Sequence, residues 1–252
     1  MVPWRNWGWG LTDLWLVGIG TGNPDHVTIE GQRALREAAV VLIPRKGAAK
    51  EDLAELRHEI LRASGSGARV IHFDMPVRDP KLPYAERVDR WHDEIAERWV
   101  AALRDAPEGP VALLVWGDPG LYDSTLRIAA RLTPAPRVRV VPGITALQAL
   151  TSAHAIPFNT VNGPVMVTTG RRLRDHGWPE GADTVVVMLD GECSFQSLDP
   201  QGIDIWWGGF LGMKEQVLEA GPLAETGPKI VATRAEARAR HGWIMDTYLM
   251  RR

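Results

Sequence analysis

Cysteine is all but missing from this chain and lysine is scarce. One thiol, Cys193, stands alone among 252 residues, so no internal disulfide can form. The seven histidines lack zinc-like spacing, since His58-Glu59 has no second histidine one helical turn away, and no metal site is expected. No stretch approaches 18 uninterrupted apolar residues, and the tryptophan-rich start is broken by Asp13. Neither a membrane span nor a secretory leader is expected, which places the protein in the cytoplasm. The formal net charge is −2 and no like-charge run stands out, so there is no broad field to attract nucleic acid or an anionic membrane. Recognition of an anion must therefore be local.

What is present is the composition of a soluble enzyme: 45% hydrophobic residues and 24% charged ones, over a length that allows one large or two modest domains. Twenty-four arginines outnumber five lysines. Arginine grips carboxylates in a bidentate fashion, so its clusters near strand ends are candidates for binding.

Along the chain, apolar runs alternate with helical patterns. Strands are predicted at 14–20, 40–44, 69–75, 110–117 and 137–143, and helices at 28–38, 50–64, 84–105 and 144–155, with Thr28 as an N-cap. Another helix is expected to run from the 116–124 loop through Arg131. This alternation predicts a mostly parallel five-stranded sheet with helices on both faces. After residue 157 the pattern changes. Strands predicted at 165–170, 183–191, 204–212 and 229–234 are separated by fewer helices, which suggests an N-terminal α/β domain over 1–157 and an α+β domain over 158–252.

The stretch LWLVGIGTGNPDHVT, residues 14–28, drives a strand into Gly18, Gly20 and Gly22. A strand, a glycine turn and a helix start form a cradle for a nucleotide or phosphate. The dinucleotide fingerprint is incomplete, because Asn23 stands where its third glycine belongs and the second strand ends in Pro44-Arg45-Lys46 rather than an acid. An NADP-dependent reductase, with Arg45 or Lys46 on the 2′-phosphate, stays open at this point, as does a turn with no ligand. Three further turns, WGDPGLYDS (116–124), PGITALQA (142–149) and TTGRRLR (168–174), also follow predicted strands. Open α/β sheets place ligands at that edge, so the four loops are expected to converge on a cleft between the domains.

Taken together, GIGTGNPDHVT, WGDPGLYDS, PGITA and DTVVVMLDG resemble the motifs of the tetrapyrrole methylases of the cobalamin and siroheme pathways, over nearly the whole chain. The segments GTGNPDHVT, PVMVTTGRRL and RAEARARHGWIMDTYLMRR are similar to a branch that couples ring methylation to loss of an acetyl group. The resemblance implies an S-adenosyl-L-methionine cofactor and a homodimer. It implies a cofactor site lined by Thr21, Trp116, Gly117, Asp118, Leu121, Thr145, Ala146, Leu189 and Gly212, mostly through their backbone, with Leu189 and Met188 beside the adenine. The implied reaction is methylation of precorrin-5 at ring carbon 1 with loss of the carbon-20 acetyl group as acetic acid. The alternatives are another tetrapyrrole C-methyltransferase of the family, the NADP-dependent reductase, or a tetrapyrrole carrier.

Methyl transfer from a sulfonium is largely a problem of alignment. Asp118 is a candidate either to balance the sulfonium charge or to cap the following helix, and Tyr122 to place its ring near the sulfonium. Where the family often carries an acid near the end of the second strand, this chain offers Lys46, the candidate for assisting deacetylation. Arg171 and Arg172 are candidates to grip the acetate and propionate groups of the substrate. Trp91 and Trp99 read as core, and Trp116, Trp206 and Trp207 as possible contacts for a macrocycle.

Overall fold

The computed structural model describes residues 13–45 and 51–252. The chain divides into two compact units, one ending at Ile144 and the other spanning Thr145–Arg252. The boundary precedes α5 (Ala146–Ala153), the helix that the compositional boundary at 157 leaves with the first domain. That helix packs on strands of the second unit.

The first unit holds five strands, β1 (Asp13–Gly18), β2 (Val40–Arg45), β3 (Arg69–Asp74), β4 (Val111–Val115) and β5 (Arg137–Val141). They lie in the order β3-β2-β4-β1-β5, and each pairing is parallel. Strand periodicity sends alternate residues to opposite faces. Leu14, Leu16, Val40, Leu42, Val111 and Leu113 face α3 (Tyr84–Ala102) and α4 (Thr125–Ala129), where Ile95, Trp99 and Ile128 complete one core. Val17, Val41, Ile43, Ala112 and Leu114 join α1 (Ile29–Glu37) and α2 (Glu51–Ala63) through Ala34, Leu35, Ile60 and Leu61. Each such side chain contributes roughly 1.5–3 kcal/mol when fully buried. Thr28 caps α1 as expected, accepting a hydrogen bond from Gly31 N–H.

The second sheet contains β6 (Val165–Thr169), β7 (Thr184–Met188), β8 (Asp204–Gly209), β9 (Val217–Pro222) and β10 (Asp246–Arg251), ordered β6-β7-β10-β8-β9. Only β6 and β7 pair in parallel; the other three pairings are antiparallel. Helices α6 (Gly170–His176) and α7 (Leu223–His241) cover one face, with Leu173, Leu223 and Ile230 against Val185, Ile205, Trp207 and Tyr248.

Two expectations are overturned here. KIVATR, 229–234, is not a strand but the middle of α7, whose buried residues Leu223, Thr226, Gly227, Ile230, Arg234 and Ala237 follow helical spacing. The Gly227-Pro228 pair inside the helix reads as a breaker in sequence, yet tertiary packing carries the helix through it. Trp207 is fully buried in the second core and does not face a ligand.

Candidate active site

Strands β4, β1 and the edge strand β5 of the first sheet end side by side, and their loops are joined through glycine backbone. Gly117 N–H donates to Gly20 O at 2.7 Å, and Gly20 N–H returns a longer bond to Gly117 O at 3.4 Å. A methyl group at Gly143 would lie 2.1 Å from Gly117 O and 2.7 Å from Gly18 C, and one at Gly18 would lie 2.6 Å from Gly143 N. These glycines therefore let three loops approach one another. Gly117 has φ 64 and Gly20 φ 71, a region costly for any residue with a Cβ.

Asp118 fastens the loops. Its Oδ1 accepts from Gly120 N–H at 2.7 Å and its Oδ2 from Gly143 N–H at 3.0 Å, so one carboxylate ties the β4 loop to the β5 loop. It does not cap α4. The first residue of that helix, Thr125, donates its N–H to Asp123 Oδ1 at 2.6 Å instead. Leu121 N–H turns inward to Asp118 O at 3.2 Å. Thr21 is buried, with Oγ1 3.1 Å from His26 Nδ1. Tyr122 sits at φ 50 and is 42% exposed, a strained backbone that holds a large ring out of the core.

Beside these loops lies a cation that sequence reading missed. Arg57, on α2, is 7% exposed, with its guanidinium 4.8 Å from the centre of the Trp116 ring. Nη1 donates to Leu53 O at 3.0 Å, whereas the buried Nε finds no acceptor among the described residues. Burial lowers its pKa to about 10, an effect opposed by the charge of Asp123. An arginine in the middle of a helix carries no signal in sequence that it will be buried; only the packing of α2 reveals it.

In the second unit, β6, β7 and β8 run in the same direction, because β10 lies antiparallel to both β7 and β8. Their carboxyl ends thus share one sheet edge, which carries Arg171 and Arg172 after β6, Leu189 after β7 and Gly212 after β8. Arg171 and Arg172 are exposed in the first turn of α6, after the cap residue Thr169. Leu189 adopts φ 54 and is 68% exposed. Gly212 N–H donates to Gln216 Oε1 at 2.8 Å. Thr145 caps α5 in a reciprocal box with Gln148, followed by Ala146 as the first helical residue. The N–H groups of Gly117, Leu121, Thr145 and Gly212 are therefore all spent within the protein. Lys46 lies outside the described residues.

A buried network holds the Leu189 turn. Asp190 Oδ1 accepts from Glu192 N–H at 3.0 Å and Ser194 Oγ–H at 2.9 Å, while Oδ2 accepts from Ser194 N–H at 2.6 Å and Tyr248 Oη–H at 2.7 Å. Arg234 donates from Nη2 to Asp190 O at 3.2 Å and from Nε to Asp246 Oδ2 at 2.8 Å, and Trp207 Nε1 donates to the same oxygen at 2.9 Å. Burial, then the Asp190 charge, raises the Tyr248 hydroxyl well above its ordinary pKa. Burial likewise pushes the Cys193 thiol up to about 11, far from the range of a reactive cysteine. Among the described residues, no group of three or more metal-binding side chains gathers, and no helix is long and apolar enough to cross a membrane.

Residues 13–227 match the Tetrapyrrole (Corrin/Porphyrin) Methylases. The chain belongs to this family. It is 45% identical to a precorrin-6A synthase [deacetylating] from Sinorhizobium sp., over 96% of each chain. Among solved structures it is similar to a putative cobalamin synthesis related protein (CobF) from Corynebacterium diphtheriae, with 36% identity, a TM-score of 0.82, and 96% of this chain and 99% of that one covered. A uroporphyrin-III C-methyltransferase from Thermus thermophilus, solved with S-adenosyl homocysteine, is 19% identical with a TM-score of 0.59, covering 94% of this chain and 91% of that one; at that identity it shares the fold.

Methylases of this family use S-adenosylmethionine. Taken by itself, the strand-end edge of each unit offers apolar surface, with the N–H groups of Gly117, Leu121, Thr145 and Gly212 already engaged. Tyr122 and Leu189 are large side chains held exposed by left-handed backbone, an arrangement that costs stability and suits a ligand with an apolar adenosyl portion.

Proposed function

We propose that this methylase converts precorrin-5 to precorrin-6A, methylating ring carbon 1 and releasing the acetyl group as acetic acid. The observation that carries the reading is the 45% identity to a precorrin-6A synthase [deacetylating], sustained over 96% of each chain. A partial match would support the cofactor unit alone; a match along the whole chain extends to the parts that select the substrate.

When bound, S-adenosylmethionine would supply an electrophilic methyl group, carried on its sulfonium, for the ring carbon. Thr21, Trp116, Gly117, Leu121, Thr145, Ala146, Leu189 and Gly212 line the cofactor. Their backbone N–H groups at 117, 121, 145 and 212 hold the loops in shape, so contact with the cofactor falls to side chains, carbonyls and the other N–H groups. Asp118 keeps two loops in register, which is the positioning that methyl transfer requires. Tyr122 presents its ring toward the sulfonium, where the π face favours a cation. Arg171 and Arg172 bind carboxylates of the macrocycle. Deacetylation needs water to attack the acetyl carbonyl, and Lys46 is the group assigned to assist it. The enzyme acts as a cytoplasmic homodimer.

Mass spectrometry of the product formed from precorrin-5 and S-adenosylmethionine tests this directly, because methyl gain and acetyl loss are read separately. Both changes are expected in one product. Methyl gain with the acetyl group retained would move the enzyme to another position in the family. Lys46→Met is expected to methylate without deacetylating.

A further inference from the structure

Among the described residues, Arg57 is a cation without the partners that burial demands. Taking a guanidinium out of water is unfavourable unless its donors are satisfied and a negative charge lies close. Among the described residues it makes one hydrogen bond, to a carbonyl of its own helix, and no ion pair within 4.0 Å. Asp123 acts on it electrostatically without touching it. The indole of Trp116 supports the guanidinium from one side and supplies no acceptor.

The geometry of the guanidinium says which ligand would complete it. Nη1 is committed to Leu53 O. The remaining edge pairs Nε with Nη2 in parallel, which is the fork that matches the two oxygens of a single carboxylate. The ring beneath it belongs to Trp116, which follows β4 directly and precedes the Gly117-Asp118 turn. We infer that Arg57 is a carboxylate-binding residue of the active site, receiving one ligand carboxylate on its Nε–Nη2 edge with Trp116 as its platform. The inference rests on the methyltransferase reading, which provides two carboxylate sources: the acid side chains of the macrocycle and the amino-acid end of the cofactor.

The test compares the full-length wild type with Arg57→Gln and Arg57→Lys. Titration with S-adenosylhomocysteine reads the cofactor arm, and titration with uroporphyrin, an octacarboxylate macrocycle, reads the substrate arm. Arg57→Gln should weaken one of these ligands at least tenfold and leave the other within twofold, and the ligand that weakens names the source of the carboxylate. Arg57→Lys should fall between, because it keeps the charge and loses the fork. The melting temperature of the unliganded Gln variant should equal or exceed that of the wild type, since an unpaired buried cation has been removed. Unchanged affinity for both ligands overturns the inference and leaves the methyltransferase reading intact. Equal loss of both ligands with a lowered melting temperature also overturns it, by making Arg57 a structural support for Trp116. A wild type that binds neither ligand overturns the reading and the inference together.

Discussion

The two units solve the same problem, fixing loops at the carboxyl edge of a sheet, with different materials. In the first, the loops after β1, β4 and β5 are drawn together by the absence of side chains at Gly18 and Gly143, with a single half-buried carboxylate, Asp118, as the tie. In the second, the turn after β7 hangs on a buried carboxylate, Asp190, that accepts four hydrogen bonds. One design fails when volume is added. The other fails when charge or donors are removed.

The largest expected effect comes from breaking the second design. Asp190→Ala strands the donors of Ser194, Glu192 and Tyr248 and should cost about 3–5 kcal/mol in urea unfolding. A loss below about 1 kcal/mol would refute the idea that this network holds the turn.

Breaking the first design comes next. Gly143→Ala places a methyl 2.1 Å from Gly117 O and should cost roughly 1–3 kcal/mol while abolishing S-adenosylhomocysteine binding. Gly67→Ala, where an added Cβ meets nothing within 4 Å, is the control and should change neither. Calorimetry on the pair separates loop crowding from a general response to replacing glycine.

Alkaline pH sharpens the contrast more gently. The folded state holds the protons of Cys193 and Tyr248 above their ordinary values, so the unfolded chain releases them first. The stability they contribute is complete below about pH 9 and declines from there through pH 11 and beyond, as the raised folded values are passed. Tyr248→Phe should lower stability at neutral pH by about 1–3 kcal/mol, through the donor lost to Asp190, and flatten the alkaline decline above pH 10. Denaturant midpoints from pH 7 to 11 would read both, and an alkaline limb of unchanged slope would remove Tyr248 from it.

The smallest effect on stability belongs to the exposed pair. Arg171→Ala and Arg172→Ala should shift unfolding by less than about 0.5 kcal/mol. The same changes should weaken a carboxylated tetrapyrrole by about 1.5–3 kcal/mol each and leave the cofactor alone. Competition binding checks this; equal, negligible losses for both ligands would return the two side chains to solvent.

The difference between the units also explains what could be read in advance. The strands of the first sheet, the cap at Thr28 and the glycine turns are local patterns, and the parallel sheet with helices on both faces follows from them. Their physical reason was legible only in part. Gly18 and Gly143 are small to admit each other's loops, and nothing near either residue in sequence names the neighbour. In the second unit, Asp190 meets Tyr248 across 58 positions and Arg234 across 44, a pairing without a local signature. The one available hint was a carboxylate standing directly after the apolar run VVVML. Strand β10, β9 and the helical course of KIVATR went unread for a related reason: long-range burial, and not propensity, decides them.

The order of the second sheet has a consequence for synthesis. Strand β10 lies between β7 and β8, although the ribosome makes it after both. Until Asp246–Arg251 emerges, β7 and β8 each present an unfilled hydrogen-bonding edge, the kind of surface on which nascent chains join one another. A translation pause or truncation just before Asp246 would thus leave two half-sheets with no shared strand, and it is at that stage that a chaperone has most to shield.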